Sequence, residues 1–165
     1  GCKGQTIDNR ISEIRKEYDF INSDQNLRKD SIDIMDESSE GGQLIFYKDS
    51  SGDLRKLVIV FYGESGKLVE EFYVTNDKLV FAFIQQYEYN RPIYWDEKTA
   101  KENGDNEVFD YSKSVIAEDS YYFDNNEILI RWLDKDKKIK QDNQSLEKTE
   151  VEIKKEYKDI RGRIK

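Results

Sequence analysis

The chain has 165 residues, a net charge of −8 and 38% charged residues, and 13% of its residues are aromatic. This length is typical of one domain with its own core, and the aromatic content argues against disorder. The negative charge disfavours nucleic acid as a partner, because the one lysine-rich segment, residues 134–142, has aspartates interleaved with its lysines. We therefore expect a folded protein with no nucleic-acid partner.

Histidine is absent and Cys2 is the only cysteine. This composition excludes Ser-His-Asp and Cys-His catalysis, an intrachain disulfide within this sequence, and zinc, copper or haem sites of the ordinary type. No nucleotide-binding loop or calcium-binding loop pattern stands out. The sequence therefore predicts no catalytic residue, no metal site and no cofactor.

The first predicted element is a helix. Its apolar residues recur at spacings of four and three, which places them on one face: Ile7, Ile11, Ile14, Tyr18 and Ile21. Thr6 is the expected N-cap, and the polar segment 22–26 is expected to end the helix.

The centre of the chain changes to a period of two. Four β-branched and aromatic runs are separated by short turn sequences, which predicts an antiparallel meander. The predicted strands are Gln43–Lys48, Leu54–Tyr62, Lys67–Val74 and Lys78–Tyr87. The second and fourth are apolar on both faces, as in a sheet covered on both sides or closed into a barrel. The third carries Glu70 and Glu71 on opposite faces and is expected to be half exposed.

The rest of the chain is less regular. Residues 90–117 are predicted to be irregular, apart from a short helix over 97–103 that stops at Gly104. A hairpin over 120–133 follows, with its turn at 124–126. Ser145 is the expected N-cap of a last helix. The predicted fold class is α+β: an antiparallel β meander, with curling toward a barrel left open, between an N-terminal helix and a C-terminal helix.

The start of the sequence, Gly1-Cys2-Lys3-Gly4-Gln5, predicts a lipid anchor. It has no Met, and bacterial lipoproteins carry the lipidated cysteine first in the mature chain after signal cleavage. The alternative is an ordinary thiol near a terminus. We expect residues 1–5 to be a tether, residues 6–165 to be a single domain, and the protein to lie in the bacterial cell envelope. Its membrane contact would be the anchor only, on the periplasmic side or the cell surface.

The segment 87–96 is the strongest candidate for a ligand surface. It places Tyr89, Arg91, Tyr94 and Trp95 after an apolar strand. Tyr and Trp are amphipathic contact residues, and Arg stacks on rings or holds carboxylates. These residues would bind a protein, peptide or glycan. The alternative is that Tyr94 and Trp95 fold back to close an open end of the sheet.

The leading functional prediction is a non-enzymatic binding module. One rival is a carrier of apolar ligands, which requires a cavity inside a curled sheet. The second is a carboxylate-based glycan hydrolase, which requires two facing acids in a cleft, one with a raised pKa.

Five sequence motifs together resemble one group of proteins. The chain resembles the small uncharacterised lipoproteins and secreted proteins of Bacteroidetes-type bacteria. The resemblance covers most of the chain after the first helix and implies an envelope location and a similar fold, with no catalytic residue transferred. The motifs are Ser39-Glu40-Gly41-Gly42, Tyr62-Gly63-Glu64-Ser65-Gly66-Lys67, Tyr89-Asn90-Arg91-Pro92-Ile93-Tyr94, Tyr121-Tyr122-Phe123 and Ile130-Arg131-Trp132-Leu133.

Overall fold

A computed structural model describes residues 2–35 and 40–164, with the side chains of the first helix described from Ile7 onward. Gly1 of the predicted tether, Ser39 of the quoted motifs and Lys165 of the predicted domain lie outside the described residues. The side chain of Cys2, the predicted lipid attachment site, is also not described.

The described chain forms one antiparallel sheet with a long helix near each terminus. The strands pair in sequence order, each with the next, from β1 to β8. The elements are α1 (Cys2–Ser23), β1 (Arg28–Ile34), β2 (Gly42–Lys48), β3 (Leu54–Tyr62), β4 (Gly66–Thr75), β5 (Lys78–Glu88), α2 (Glu97–Glu102), a 3-10 turn (Tyr111–Lys113), β6 (Val115–Phe123), β7 (Leu129–Leu133), β8 (Ile139–Lys140) and α3 (Asn143–Arg161). None of the described helices is long and apolar enough to cross a bilayer.

The predicted α+β meander is confirmed, and the sheet stays open because β1 and β8 form two separate edges. The four central strands lie where the period of two predicted them, and β3 has the predicted bounds. Hairpin turns join these neighbours, as short connections between antiparallel strands require.

Two helices cover the two faces of the sheet. Helix α1 packs Ile11, Ile14 and Ile21 against a cluster that includes Tyr73 and Phe81. Helix α3 packs its buried residues on the opposite face, against a larger cluster. That cluster includes Leu44, Leu57, Ile59, Phe72, Leu146, Ile153, Tyr157 and Ile160. Each large side chain buried in this way contributes about 1.5–3 kcal/mol. Strands that are apolar on both faces therefore have a covering helix on each side, as predicted.

Both predicted N-caps are wrong. Helix α1 begins at Cys2, so Thr6 lies inside it. Lys3 and Gln5 are good helix formers, which favours this extension. Helix α3 is capped by Asp142, whose carboxylate accepts the Ser145 backbone N–H at 2.9 Å. Aspartate caps as well as serine, and its charge also interacts favourably with the helix dipole.

Three stretches of strand were not predicted. Strand β1 is an edge strand of mostly charged, exposed residues, which gives no apolar period. Strand β8 has only two residues. Strand β6 begins at Val115, five residues before its predicted start. The early part of the strand was missed because the charged pair Glu118 and Asp119 resembles a loop in sequence. The irregular region therefore ends before residue 115.

Strand β4 is more buried than its two glutamates predicted. Glu70 is only 6% exposed, because it lies on the face that α3 covers. Burial raises the pKa of the Glu70 carboxyl to about 8, and the nearby Glu156 carboxyl of α3 adds to the shift. Glu71 lies on the other face, accepts a hydrogen bond from the Tyr73 hydroxyl and contacts Lys56.

Candidate functional site: the aromatic end of the sheet

Seven aromatic side chains collect at one end of the sheet, around the β3–β4 turn and the loop that follows β5. We call this region the aromatic end, and it consists of Tyr62, Tyr87, Tyr89, Tyr94, Trp95, Phe109 and Tyr111. Its backbone is tied to the turn, because the N–H groups of Tyr89 and Ile93 donate to the carbonyls of Ser65 and Glu64, each at 2.9 Å. The loop is therefore anchored on the sheet.

Asp105 organises the loop through two predicted site residues. The Arg91 Nε group donates to Asp105 Oδ2 at 2.6 Å, and the Trp95 indole N–H donates to the same oxygen at 2.9 Å. The Arg91 guanidinium holds the pKa of the Asp105 carboxyl well below its usual range. Charge-assisted, nearly bidentate pairs of this kind fix side-chain geometry as well as adding energy. Asp105 therefore holds Arg91 and Trp95 in place.

Asn90 connects the two halves of the loop. Its Nδ2 donates to Glu107 Oε2 at 2.9 Å and to the Val108 carbonyl at 3.0 Å, while its Oδ1 accepts the Asp110 N–H at 2.9 Å. The Phe109 N–H also donates to the Trp95 carbonyl at 2.8 Å. These hydrogen bonds take the place of the regular backbone hydrogen bonds of a helix or sheet. The loop after β5 therefore has a defined shape although it contains no long helix or strand.

Three tyrosines and one lysine form the polar part of the aromatic end. The rings of Tyr87 and Tyr111 are nearly parallel, with centroids 6.1 Å apart. Lys67 Nζ lies 4.5 Å from the Tyr87 centroid and 5.0 Å from that of Tyr111, within cation–π distance of both. Tyr89 packs between Tyr111 and Phe109, and burial raises its pKa. Tyr111 nevertheless remains 48% exposed, so this array is accessible to a ligand.

Two shallow depressions lie beside these rings. The first, of about 490 Å³, is bordered by Tyr62, Lys67, Tyr87 and the β3–β4 turn. The second, of about 350 Å³, is bordered by Tyr94, Trp95 and neighbouring apolar residues of the loop. Both have mixed linings of rings and polar groups. Such surfaces can hold an extended, amphipathic ligand against flat rings.

The structure brings together only part of the predicted site. Arg91 and Trp95 share Asp105, and Tyr89 packs on Phe109, so these contacts help to hold the loop in its shape. Tyr94 is 55% exposed and lies beside Trp95, with ring centroids 6.0 Å apart.

Sequence reasoning included Tyr87 in the candidate segment 87–96 but missed Lys67 and Tyr111 as parts of the same surface. The spacing of two between Tyr87 and Tyr89 was a signal that these two share a face. No comparable sequence signal places Lys67 or Tyr111 beside them, because they come from different elements.

Among the described residues, the carboxyl group whose pKa is raised does not lie in an accessible cleft. Glu70 has the raised pKa, and Glu156 lies close to it, but Glu70 is buried between β4 and α3. A hydrolytic pair has to flank an accessible substrate. Among the described residues, no group of three or more Cys, Asp or Glu residues is placed to hold a metal ion.

Comparison with known proteins found no family model, no curated protein and no solved structure that matches the chain. The chemistry of the aromatic end therefore provides the most direct indication of function.

Proposed function

We propose that the protein is a non-enzymatic binding module that holds a glycan on the aromatic end. The observation that carries this proposal is the array of partly exposed tyrosine rings around Lys67, built on a backbone tied to the sheet. Tyrosine supplies a flat apolar face and a hydroxyl on the same rigid side chain. The faces of sugar rings present C–H groups that pack on such rings, while their hydroxyls hydrogen-bond with phenol and amide groups.

The shape of the surface favours a glycan over a peptide. Peptides usually bind through a few side chains inserted into desolvated pockets. The depressions at the aromatic end are shallow, and Arg91, which could grip a peptide carboxylate, is committed to Asp105 and Glu107. An extended ligand made of linked sugar rings matches the two shallow depressions better than a peptide does.

The location of the protein is the second part of the proposal. We infer that Cys2 carries a lipid that ties the domain to a bacterial cell envelope, on the periplasmic side or the cell surface. The resemblance to Bacteroidetes-type lipoproteins supports this assignment. Cys2 is also the only cysteine in the sequence, so a thioether there competes with no disulfide within it. Two or more acyl chains are enough for stable anchoring.

The glycan proposal is tested by screening the domain against arrayed polysaccharides and oligosaccharides and titrating the best ligand calorimetrically. Tyr111→Ala removes the most exposed ring of the polar array, and we expect Kd to rise about tenfold, which corresponds to about 1.4 kcal/mol. Asp105→Asn removes the charge that holds Arg91 and Trp95. We expect it to raise Kd by a smaller factor, because it disturbs the loop without removing a ring.

Phe20→Ala is the matched control, since Phe20 is an exposed ring on α1, 59% accessible and outside the aromatic end. It should leave Kd unchanged. The proposal fails if no glycan binds, if Tyr111→Ala and the Phe20 control bind alike, or if peptides are selected in place of glycans. Far-ultraviolet circular dichroism of each variant checks that the fold is retained.

The anchor is tested separately by mass spectrometry of the full-length protein extracted from the membranes of its native cells. We expect the peptide that contains Cys2 to carry the mass of a diacylglyceryl group, and Cys2→Ser to release the protein from the membrane fraction. An unmodified Cys2 peptide from the native membrane fraction would contradict the anchor without bearing on glycan binding.

A further inference from the structure

A second site lies away from the aromatic end, in a groove between α1 and the sheet. Helix α1 covers only part of its face of the sheet and leaves a groove of about 340 Å³ beside it. Its floor is formed by Phe81 and Phe83 of β5 and Tyr122 of β6, and its wall by Tyr18. Arg15 and Asp19 of α1 lie on its rim. This volume is within the range of about 300–1,000 Å³ that small-molecule sites occupy.

Three of the four rings are arranged around the fourth, Phe81. Tyr18 meets Phe81 edge to face at 5.6 Å, Tyr122 lies at 4.9 Å, and Phe83 is stacked at 6.5 Å with an interplanar angle of 12°. Phe83 and Tyr18 are only partly buried, so their rings border the open space. The faces of aromatic rings carry negative potential, which attracts cations that are weakly hydrated.

The charged groups around the groove add to this negative potential. Burial raises the pKa of the Tyr18 hydroxyl, and the charges of Glu71, Asp19 and Glu118 add to the rise, while a hydrogen bond with Tyr73 opposes it. These three carboxylates therefore lie close enough to act on Tyr18. Lys56 partly offsets Glu71, at 3.8 Å, and the Glu118 carboxylate accepts a hydrogen bond from the neutral Gln85 amide at 2.9 Å. Arg15 is the cation on the rim. Arg15 and Asp19, which line the groove, balance each other. Further negative charge near Tyr18 comes from Glu71 and Glu118, with Lys56 opposing Glu71.

We propose that this groove binds a small organic cation with an alkylated ammonium group. The rings would take the methyl or methylene groups, and Asp19 would balance the charge at the rim. A neutral apolar ligand of the same size would instead bury the Asp19 side of the groove without balancing its charge. The site is independent of the glycan surface, because the two share no residue.

The test compares two probes of nearly the same shape. Choline and its uncharged carbon isostere, in which a tert-butyl group replaces the trimethylammonium group, are titrated into the complete domain and followed by amide NMR shifts. We expect saturable choline binding with shifts at residues 14–19, 81–83 and 120–122. The neutral isostere should bind about fivefold more weakly or worse, since it lacks the cation–π attraction.

Variants separate the contribution of the rings from that of the charge. Phe83→Leu keeps an apolar side chain but removes a π face, and Asp19→Asn removes the balancing charge. Each should raise the choline Kd about threefold or more. Arg15→Gln should lower this Kd, whereas Phe20→Leu, on the same helix but outside the groove, should leave it unchanged.

Equal affinity for choline and the neutral isostere would overturn the proposal, because it would show that the positive charge of the ligand does not contribute to binding in the groove. The absence of saturable choline binding would also overturn it, as would shifts confined to the aromatic end. Since Asp19→Asn alters an exposed side chain, it keeps the test informative even if Phe83→Leu fails to fold.

Discussion

Glu70→Gln is expected to stabilise the protein at neutral and alkaline pH. The folded-state pKa of Glu70 is raised to about 8 from 4.5. The folded protein therefore holds a proton that the unfolded chain releases between these two values. The contribution of Glu70 to stability is complete below about pH 4.5, falls as the pH rises and is lost above about pH 8. Glutamine has nearly the same shape and no charge to desolvate.

Urea unfolding at several pH values measures this effect. We expect the two proteins to differ little near pH 4.5, where the carboxyl is protonated in both states, and Glu70→Gln to gain on the order of 3 kcal/mol near pH 8. Glu152→Gln changes an exposed glutamate of the same helix that carries Glu156, and it should stay within about 0.5 kcal/mol of wild type at every pH. A stability difference that does not vary with pH would show that Glu70 is not protonated in the folded protein.

Gly66→Ala is expected to be the most damaging single-methyl change at the aromatic end. Gly66 begins β4 opposite Glu88, and a Cβ atom there would overlap the backbone carbonyl oxygen of Tyr87. A backbone atom in a sheet cannot move aside as a flexible side chain can. The two strands would have to separate where they carry Lys67 and Tyr87. We expect a loss of about 2–4 kcal/mol in the free energy of unfolding.

Gly52→Ala provides the contrasting control. Gly52 has a φ of +84° and no atom within 4 Å of its added Cβ, so its substitution tests backbone strain without overlap. It should cost about 1 kcal/mol. Chemical denaturation of the two variants side by side gives the comparison. If Gly66→Ala were no more destabilising than Gly52→Ala, the close approach of β4 and β5 would be wrong.

The core of the fold could be predicted because its signal is local. Runs of β-branched and aromatic residues between short turns identified the four central strands, and the apolar residues on both faces of β3 and β5 predicted a covered sheet. The missed elements lack that signal. Strand β1 is an exposed edge, and the first half of β6 is held by its register with β5, in which Val115 pairs with Glu88. Pairing with an established neighbour can make a strand of residues whose own pattern suggests a loop.

The candidate site was harder to predict from the sequence, because it depends on contacts between residues that are far apart along the chain. The composition of the loop after β5 identified Tyr89, Arg91, Tyr94 and Trp95 as a group. It could not show that Asp105 would engage Arg91 and Trp95, since that requires the path of the loop in space. The burial of Glu70 was equally hidden, because the sequence does not show which part of the sheet α3 covers.

The two proposed sites use the same sheet in different ways. At the aromatic end, Asp105 and Asn90 hold a loop in place so that rings from several elements remain exposed. In the groove, an incomplete covering helix leaves part of one sheet face open beside charged groups of α1. The buried clusters under α1 and α3 give both sites a rigid support, which limits the entropy lost when a ligand binds.

Amide NMR mapping of the best glycan from the screen tests the central claim most directly, because it reports where on the domain the ligand lies. We predict that the shifts concentrate at residues 62–67, 87–89, 94–95 and 109–111, and that in Tyr111→Ala they need about tenfold more ligand to reach saturation. Saturable glycan binding with shifts elsewhere, or shifts that saturate at the same ligand concentration in Tyr111→Ala as in the wild type, would contradict the assignment of the aromatic end as the binding surface.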